Sequence, residues 1–87
     1  MSHFYYVYVL RSLKDKKLYT GFTQDLRLRF QSHGKGKVSS TKERGPFGLV
    51  YYEACRHKLD AMRRERYLKT HYGKQFLYKR LKSYFTG

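Results

Sequence analysis

The segment from Phe4 to Arg11 constrains the fold more than any other part of this chain. β-branched and aromatic residues dominate it, and these residues favour a β-strand. In a strand its side chains alternate between two faces, and both faces carry aromatic or aliphatic groups. The two sets are Tyr6, Tyr8 and Leu10 on one face and Tyr5, Val7 and Val9 on the other. Because each apolar face needs its own cover, we expect this strand at the centre of a sheet.

A hairpin and a helix should follow the first strand. A polar turn separates it from a second, shorter strand at residues 17–21, which would pair with it as an antiparallel hairpin. Thr23 or Asp25 is placed to cap a helix that runs to about His33. Gly34 is then placed to end this helix in the left-handed conformation.

The second half of the chain should add one strand and two helices. Residues 34–47 form a long loop rich in Gly, Ser and Lys, where function or mobility is expected. A third strand should cover residues 49–55, and a helix should cover residues 57–72. Gly73 should break this helix before a last helix over residues 74–84.

These elements follow the order ββαβαα, which predicts an α+β (small mixed α/β) fold. It would contain a three-stranded sheet with an antiparallel hairpin, flanked by three helices. A chain of 87 residues is large enough to fold alone, so we expect a single domain over residues 1–87. The single cysteine, Cys55, cannot form an internal disulfide, which is typical of a protein in the reducing cytoplasm.

The charge of the chain indicates a polyanionic partner. Twenty Lys and Arg stand against six Asp and Glu, which gives a formal net charge of +14. Ten cations and three acids precede Gly45 and the same numbers follow it, so the charge belongs to the folded domain and not to a tail. Nucleic acid is the usual partner of such a domain, and an anionic membrane surface is the weaker rival. No window is apolar for long enough to span a bilayer.

Two local patterns carry candidate functional residues, and each also has an ordinary structural interpretation. Tyr8 and Tyr19 lie on the two adjacent strands, where core tyrosines are the default in a chain that has ten of them. Arg29 and His33 lie one turn apart on the apolar side of the predicted helix. An arginine in that position can simply extend its charged end to solvent.

A third pattern surrounds Glu65, an acid inside an otherwise basic run. Ala61, Met62 and Leu68 lie three or four positions from it, so it falls on or beside the stripe that faces the core. A carboxylate there, in a protein suited to nucleic acid, is a candidate metal ligand. Glu65 also precedes Lys69 by four positions, the favourable order for a surface ion pair worth about 0.2–0.5 kcal/mol.

Taken together, these patterns resemble the GIY-YIG nuclease family over nearly the whole chain, roughly residues 5–81. Val7 and Tyr8 are similar to the first signature of the family, with Tyr6 in the position of its glycine. The segment 19–21, Tyr-Thr-Gly, is similar to the second signature, with Thr in place of the middle aliphatic residue.

Three further positions fall where that family has functional residues. Its catalytic arginine comes ten positions after the second tyrosine, which here is Arg29, and a histidine of many members falls at His33. Its metal-binding glutamate lies in an Ala-Leu-x-x-Glu pattern, matched here by Ala-Met-Arg-Arg-Glu ending at Glu65. The stretch 65–69, Glu-Arg-Tyr-Leu-Lys, resembles the short, single-domain bacterial branch of the family.

The resemblance implies a metal-dependent endonuclease that hydrolyses phosphodiester bonds, with DNA expected ahead of RNA and binding that is structure-selective or sequence-independent. Glu65 would bind Mg²⁺, or Mn²⁺ in its place, together with substrate phosphate. Arg29 would grip the phosphate through its planar guanidinium. Tyr19 would activate water, Tyr8 would orient it or share that role, and His33 would hydrogen-bond either tyrosine or relay the proton.

Seven further cations are expected to contact phosphates without reading bases. They are Lys35, Lys37, Lys42, Arg44, Arg63, Arg64 and Arg66. Two other functions remain open, with DNA repair as the expected context of the leading one. The first is a non-catalytic RNA- or DNA-binding module, in which the tyrosines are core residues and Glu65 only forms an ion pair. The second is a nuclease that needs a partner protein for targeting.

Overall fold

The computed structural model of this protein describes residues 3–36 and 43–87. Within these ranges it has three strands and four helices. The strands are β1 (Tyr5–Ser12), β2 (Leu18–Thr23) and β3 (Phe47–Cys55), and the helices are α1 (Leu26–Gly34), α2 (Lys58–Leu68), α3 (His71–Arg80) and α4 (Lys82–Thr86). None of the helices in this part of the chain has the length and apolar character needed to cross a membrane. Two predicted phosphate contacts, Lys37 and Lys42, lie outside the described residues.

The three strands form one sheet with β1 at its centre, as the sequence predicts. The strand order is β2-β1-β3, and β1 pairs antiparallel with both neighbours. Tyr8 of β1 lies opposite Gly21 of β2 on one side and Tyr52 of β3 on the other. The predicted α+β fold with a three-stranded sheet is confirmed, and its register places Tyr8 beside a residue that has no side chain.

Different helices cover the two faces of β1. On one face its valines pack under α2 and α3, and on the other its tyrosine and leucine pack under α1. The first core holds Val7, Val9, Ala61, Leu68 and Leu77, and the second holds Tyr8, Leu10 and Phe47 beside the partly buried Leu26 and Phe30 of α1. Each fully buried aliphatic side chain stabilises the fold by roughly 1.5–3 kcal/mol, so the central strand holds three helices in place.

Helix α1 begins at a predicted cap but ends differently from the prediction. The carboxylate of Asp25 caps it by accepting a hydrogen bond from the Leu28 N–H at 3.0 Å. Gly34 is the last helical residue, so the prediction of a left-handed Gly34 is wrong. The left-handed residue is Gly36 (φ 71°), because the Lys35 N–H still bonds back to α1 before the chain turns away.

The boundary between α2 and α3 lies earlier than the sequence predicts. Helix α2 ends at Leu68 instead of Tyr72, and Gly73, predicted as a helix break, lies inside α3. Thr70 sets this boundary because its hydroxyl accepts from the Gly73 N–H at 3.1 Å and donates to the Tyr67 carbonyl at 2.6 Å. The Thr70 cap therefore sets the start of α3, and Gly73 allows α3 to pack closely against the end of α2.

The predicted last helix over residues 74–84 is also divided, so four helices flank the sheet instead of three. The division falls at Leu81, between α3 and α4. The guanidinium of Arg11 on β1 lies 5.7 Å from the ring centroid of Tyr84 and 5.2 Å from that of Phe85. These cation–π contacts tie the end of the chain to β1 and favour the bend before α4.

Arg64 joins α2 to β3. Its guanidinium forms a bidentate ion pair with Glu53, in which Nε–Oε1 and Nη2–Oε2 are both 2.9 Å. The same group lies 4.5 Å from the ring centroid of Phe76 and 5.2 Å from that of Tyr67. The hydrogen bonds to Glu53 raise the pKa of Arg64 above its ordinary value. We call this arrangement of Arg64 on Glu53 between two rings the Arg64 clamp.

Gly73→Ala should destabilise the protein. A Cβ at this buried position would collide with the Tyr67 carbonyl oxygen and the Leu68 Cα, which cannot yield without separating α2 from α3. Overpacking of this kind costs about 1–3 kcal/mol, and we expect that loss in the free energy of unfolding from a urea titration. Gly34→Ala is the matched control, since an added Cβ there meets nothing within 4 Å. Equal effects of the two substitutions would contradict this account of the α2–α3 turn.

Candidate active site

The five predicted site residues line one cleft. The cleft has a volume of about 490 Å³ and runs along the edge strand β2, with α1 on one side and α2 and α3 on the other. Its lining includes Tyr8, Tyr19, Arg29, His33 and Glu65. Side chains that are scattered between positions 8 and 65 of the sequence therefore face the same concave surface.

Tyr8 lies at the centre of a hydrogen-bonded chain. The Arg29 Nε–H donates to the Tyr8 hydroxyl oxygen at 3.2 Å, and that hydroxyl lies 2.8 Å from Nε2 of His33. Because an arginine can only donate, the Tyr8 oxygen is the acceptor in the first bond. Its own proton is then free to be donated to His33, whose neutral ring accepts at Nε2 when Nδ1 carries the hydrogen.

The Tyr8 hydroxyl has room because of Gly21. A Cβ at Gly21 would collide with the hydroxyl end of the Tyr8 ring, so this position on β2 requires glycine. Tyr8 is 2% exposed, and its ring meets the His33 ring edge-on at 5.6 Å between centroids. Phe47 of β3 meets both His33 at 6.0 Å and Tyr19 at 5.5 Å between centroids. The rings thus hold one another, and the hydroxyl of Tyr8 has a fixed position.

His33 is a buried titratable group, 5% exposed, beside a cation. Desolvation lowers its pKa from the usual value, and the positive charge of Arg29 lowers it further. Both effects disfavour the imidazolium form. The ring is therefore neutral at pH 7 and able to accept the Tyr8 proton.

Tyr19 has a different partner from Tyr8. Its hydroxyl donates to Oδ2 of Asp15 at 3.3 Å, and the same oxygen accepts from Arg44 Nη1 at 3.0 Å. The pKa of Asp15 is lowered to about 2, chiefly by the Lys17 backbone N–H and then by Arg44, so the carboxylate is ionised. The Tyr19 hydroxyl therefore donates to an ionised carboxylate, whereas the Tyr8 hydroxyl lies beside a histidine ring.

The position of Glu65 is compatible with both interpretations of its spacing. It lines the cleft, and its Oε2 also lies 2.9 Å from Nζ of Lys69, so the predicted i,i+4 ion pair is present. Its side chain is 21% exposed. The chain has six acidic residues, all of them among the described ones, and Glu65 alone lines the cleft.

A divalent cation fits this donor set. Mg²⁺ retains most of its waters and commonly binds through one or two carboxylates plus substrate phosphate. The residues that the structure describes contain no group of three His, Cys, Asp or Glu side chains that could enclose a metal. A single partly exposed carboxylate is compatible with an ion that is bound together with the substrate, and we infer that Glu65 would hold it.

Five of the seven cations predicted to contact phosphate lie among the described residues, and none of these five lines the cleft. Three of them are engaged with acids: Arg44 with Asp15, Arg63 with Asp60, and Arg64 with Glu53. Lys35 and Arg66 are exposed. Their contact with phosphate stays a prediction. Among the described residues, the cations that line the cleft are Arg29, Lys69 and Lys74.

Five residues of the site have roles that sequence reasoning missed. Lys69 and Lys74 line the cleft, Gly21 makes room for Tyr8, and Asp15 and Phe47 contact Tyr19. Asp15 precedes Tyr19 by four positions across a hairpin, a signal that could have been noticed. The contribution of Lys74 depends on how α3 is placed, which no local pattern reports.

Comparisons with known proteins show which family this chain is similar to. A family model described as the GIY-YIG catalytic domain matches residues 4–80. UPF0213 protein CPE1444 of Clostridium perfringens is 45% identical over 65 residues, which are 74% of this chain and 69% of the relative. UPF0213 protein SH2523 of Staphylococcus haemolyticus is 45% identical over 67 residues, covering 76% of this chain and 80% of the relative.

A solved structure is also similar to this one. The solution NMR structure of UPF0213 protein BH0048 from Bacillus halodurans has a TM-score of 0.55 and 39% sequence identity, and covers 87% of this chain and 83% of that one. The similarity therefore covers most of both chains. The protein therefore belongs to the GIY-YIG nuclease family, in the short bacterial branch formed by the UPF0213 proteins.

Proposed function

We propose that this protein is a metal-dependent endonuclease that hydrolyses phosphodiester bonds in DNA. One observation carries the proposal: the hydrogen-bonded chain from Arg29 through Tyr8 to His33 lines the same cleft as Glu65. A water activator, a phosphate clamp and a metal ligand are the parts that this hydrolysis needs. Membership of a nuclease family supports the same conclusion.

The cleft has the charges that a phosphodiester requires. Arg29, Lys69 and Lys74 line it, and their positive charges would attract the phosphate and offset the negative charge that develops during attack. Mg²⁺, or Mn²⁺, held by Glu65 would supply Lewis-acid polarisation of the phosphate. Lys69 would exchange its ion pair with Glu65 for a contact with the substrate.

Tyr8 and His33 provide a path for the proton of the attacking water. As the water oxygen forms its bond to phosphorus, its proton passes to the Tyr8 oxygen, while the Tyr8 proton passes to Nε2 of His33. The P–O bond to the leaving group then breaks, and the leaving oxygen takes a proton from solvent. The imidazolium of His33 returns its proton to solvent before the next turnover. Arg29 stabilises the negative charge that builds up on the Tyr8 oxygen during transfer.

This path revises the roles that the sequence suggests for the two tyrosines. Tyr19 is the expected base from the family resemblance, but its hydroxyl donates to an ionised carboxylate. Tyr8 has a neutral proton acceptor on one side and a cation on the other. We therefore propose Tyr8 as the general base and Tyr19, which lines the same cleft, as a group that orients the water or the phosphate.

A non-catalytic nucleic-acid-binding module is the second candidate. The observation in its favour is the Glu65–Lys69 ion pair, which gives the acid a structural partner. Both candidates would bind nucleic acid in a salt-dependent manner, so binding alone cannot separate them. Cleavage in the presence of a divalent metal separates the nuclease from the binding module. Cleavage that requires an added protein would identify a nuclease that depends on a partner for targeting.

Glu65→Gln should abolish cleavage of DNA in Mg²⁺ and leave binding unchanged or slightly tighter. The amide keeps the shape of the side chain but removes the charge that holds the metal, so we expect a loss of at least about 100-fold in rate. Asp60→Asn is the matched control, because Asp60 lies on the same helix and its side chain pairs with Arg63 outside the cleft. Nicking of a supercoiled plasmid measures both variants. Cleavage by Glu65→Gln at the parent rate would remove the metal assignment.

Tyr8→Phe should cost more activity than Tyr19→Phe. Phenylalanine keeps the ring packing at each position, so the comparison isolates the hydroxyl groups. Loss of a general base lowers the rate by about 10²- to 10⁴-fold, which we expect for Tyr8→Phe under single-turnover conditions. If Tyr19→Phe loses as much or more, Tyr19 is the base and the proposed path is wrong.

Cleavage should decline on the acid side with a midpoint below pH 6.5, because His33 must be neutral and its pKa is lowered from 6.5. The free energy of unfolding should also fall as the pH is lowered. The unfolded chain binds a proton at His33 before the folded protein does, so the free energy of unfolding falls as pH drops below 6.5 through the lower folded value.

His33→Gln tests this assignment through both readouts. It should slow cleavage, and it should remove part of the stability loss between pH 6.5 and the acid range. Thermal unfolding at each pH measures the second effect even if the variant is inactive. A parent midpoint above pH 6.5, or an unchanged stability profile in His33→Gln, would contradict the assignment.

A further inference from the structure

A second depression continues from the cleft. It has a volume of about 350 Å³ and is lined by Lys17, Leu18, Tyr19, Lys74 and Tyr78. Three of these residues, Leu18, Tyr19 and Lys74, also line the cleft. We call this depression the side trough. A polymer bound in the cleft would therefore have its next unit in the side trough.

Tyr78 gives the side trough a rigid aromatic wall. It lies on α3 and is 50% exposed, although its ring packs against Phe85 of α4 at 4.7 Å between centroids. An exposed ring that is already held in place loses little conformational entropy when a flat ligand stacks on it. Such a ring is the usual platform for a nucleic-acid base.

The charges of the side trough match the rest of a nucleotide. Lys17 and Lys74 are exposed, and the residues that line the trough include no carboxylate. Two ammonium groups beside an aromatic ring suit a phosphate that is joined to a planar base. In an intact duplex both faces of a base are covered by its neighbours in the stack. Away from the duplex ends, the ring of Tyr78 can stack on a base only where the base has left the duplex.

We propose that the side trough binds an unpaired nucleotide adjacent to the phosphate in the cleft. The substrate of the protein is then a nucleic acid with single-stranded character next to the scissile bond, such as a single strand, an overhang or a flap. This inference rests on the proposed function for the identity of the neighbouring phosphate. Single-stranded DNA and RNA present the same chemistry to Tyr78.

Binding measurements without metal test the proposal separately from cleavage. Labelled single-stranded DNA, single-stranded RNA and blunt duplex DNA of one sequence are titrated by fluorescence anisotropy. Tyr78→Ala should weaken single-strand binding by at least about fivefold and duplex binding much less, because base stacking on an aromatic ring is lost. Tyr78→Phe should bind like the parent.

Two further variants make the result decisive. Tyr72→Ala is the matched control, because Tyr72 is 71% exposed on the same helix but does not line the side trough. It should leave all Kd values unchanged. Tyr78→Leu keeps an apolar contact for Phe85 but removes the aromatic face, so it replaces Tyr78→Ala if thermal unfolding shows that the alanine variant is unfolded.

The proposal is overturned if folded Tyr78→Leu binds single strands as tightly as the parent, or loses single-strand and duplex binding equally. A selective loss supports it, and the DNA and RNA arms report which single strand is preferred. Failure of the protein to cleave any substrate in Mg²⁺ would contradict the proposed nuclease activity. It would not affect the conclusion on single-strand binding by the side trough. The two failures are therefore distinguishable.

Discussion

Burial of β1 on both faces is the constraint on which the rest of this structure depends. Its valines hold α2 and α3 against one face, and its tyrosine and leucine hold α1 against the other. The helix that carries Arg29 and His33 and the helix that carries Glu65 are thereby fixed on opposite sides of the same strand. Residues of both helices line the cleft, together with residues of β2 at one edge of the sheet. Packing of one strand thus brings together site residues from four elements, β1, β2, α1 and α2.

A small part of the excess positive charge is offset by ion pairs with acidic side chains. Asp15, Glu53, Asp60 and Glu65 each pair with one cation, and Asp25 caps α1. Six acids cannot neutralise twenty Lys and Arg, so a large positive charge is left unbalanced. Self-repulsion of this kind lowers the stability of the free protein and is relieved when a polyanion binds. The excess of positive charge therefore destabilises the free protein and would favour its association with a polyanion.

Local patterns predict the parts of this structure that depend on local physics. The two-faced strand, the Asp25 cap and the turn-spaced pair Arg29 and His33 are all visible in the sequence. The prediction that Gly73 breaks the helix is wrong, because a glycine in a helical pattern is compatible with either a break or a close contact between helices. Here the Thr70 cap starts α3 before Gly73.

Contacts between distant elements are harder to predict. The sequence allows His33 to bond either tyrosine, and the placement of α1 over β1 selects Tyr8. The side trough is lined by residues of β2 and α3, which are far apart in the chain, so no local sequence motif predicts it. The Arg64 clamp has a consequence of the same long-range kind. Successive helical residues are rotated by about 100° around the axis, so anchoring one side chain sets the azimuth of the next. Glu65 follows Arg64 directly, and an anchor on β3 thereby aims the carboxylate on α2.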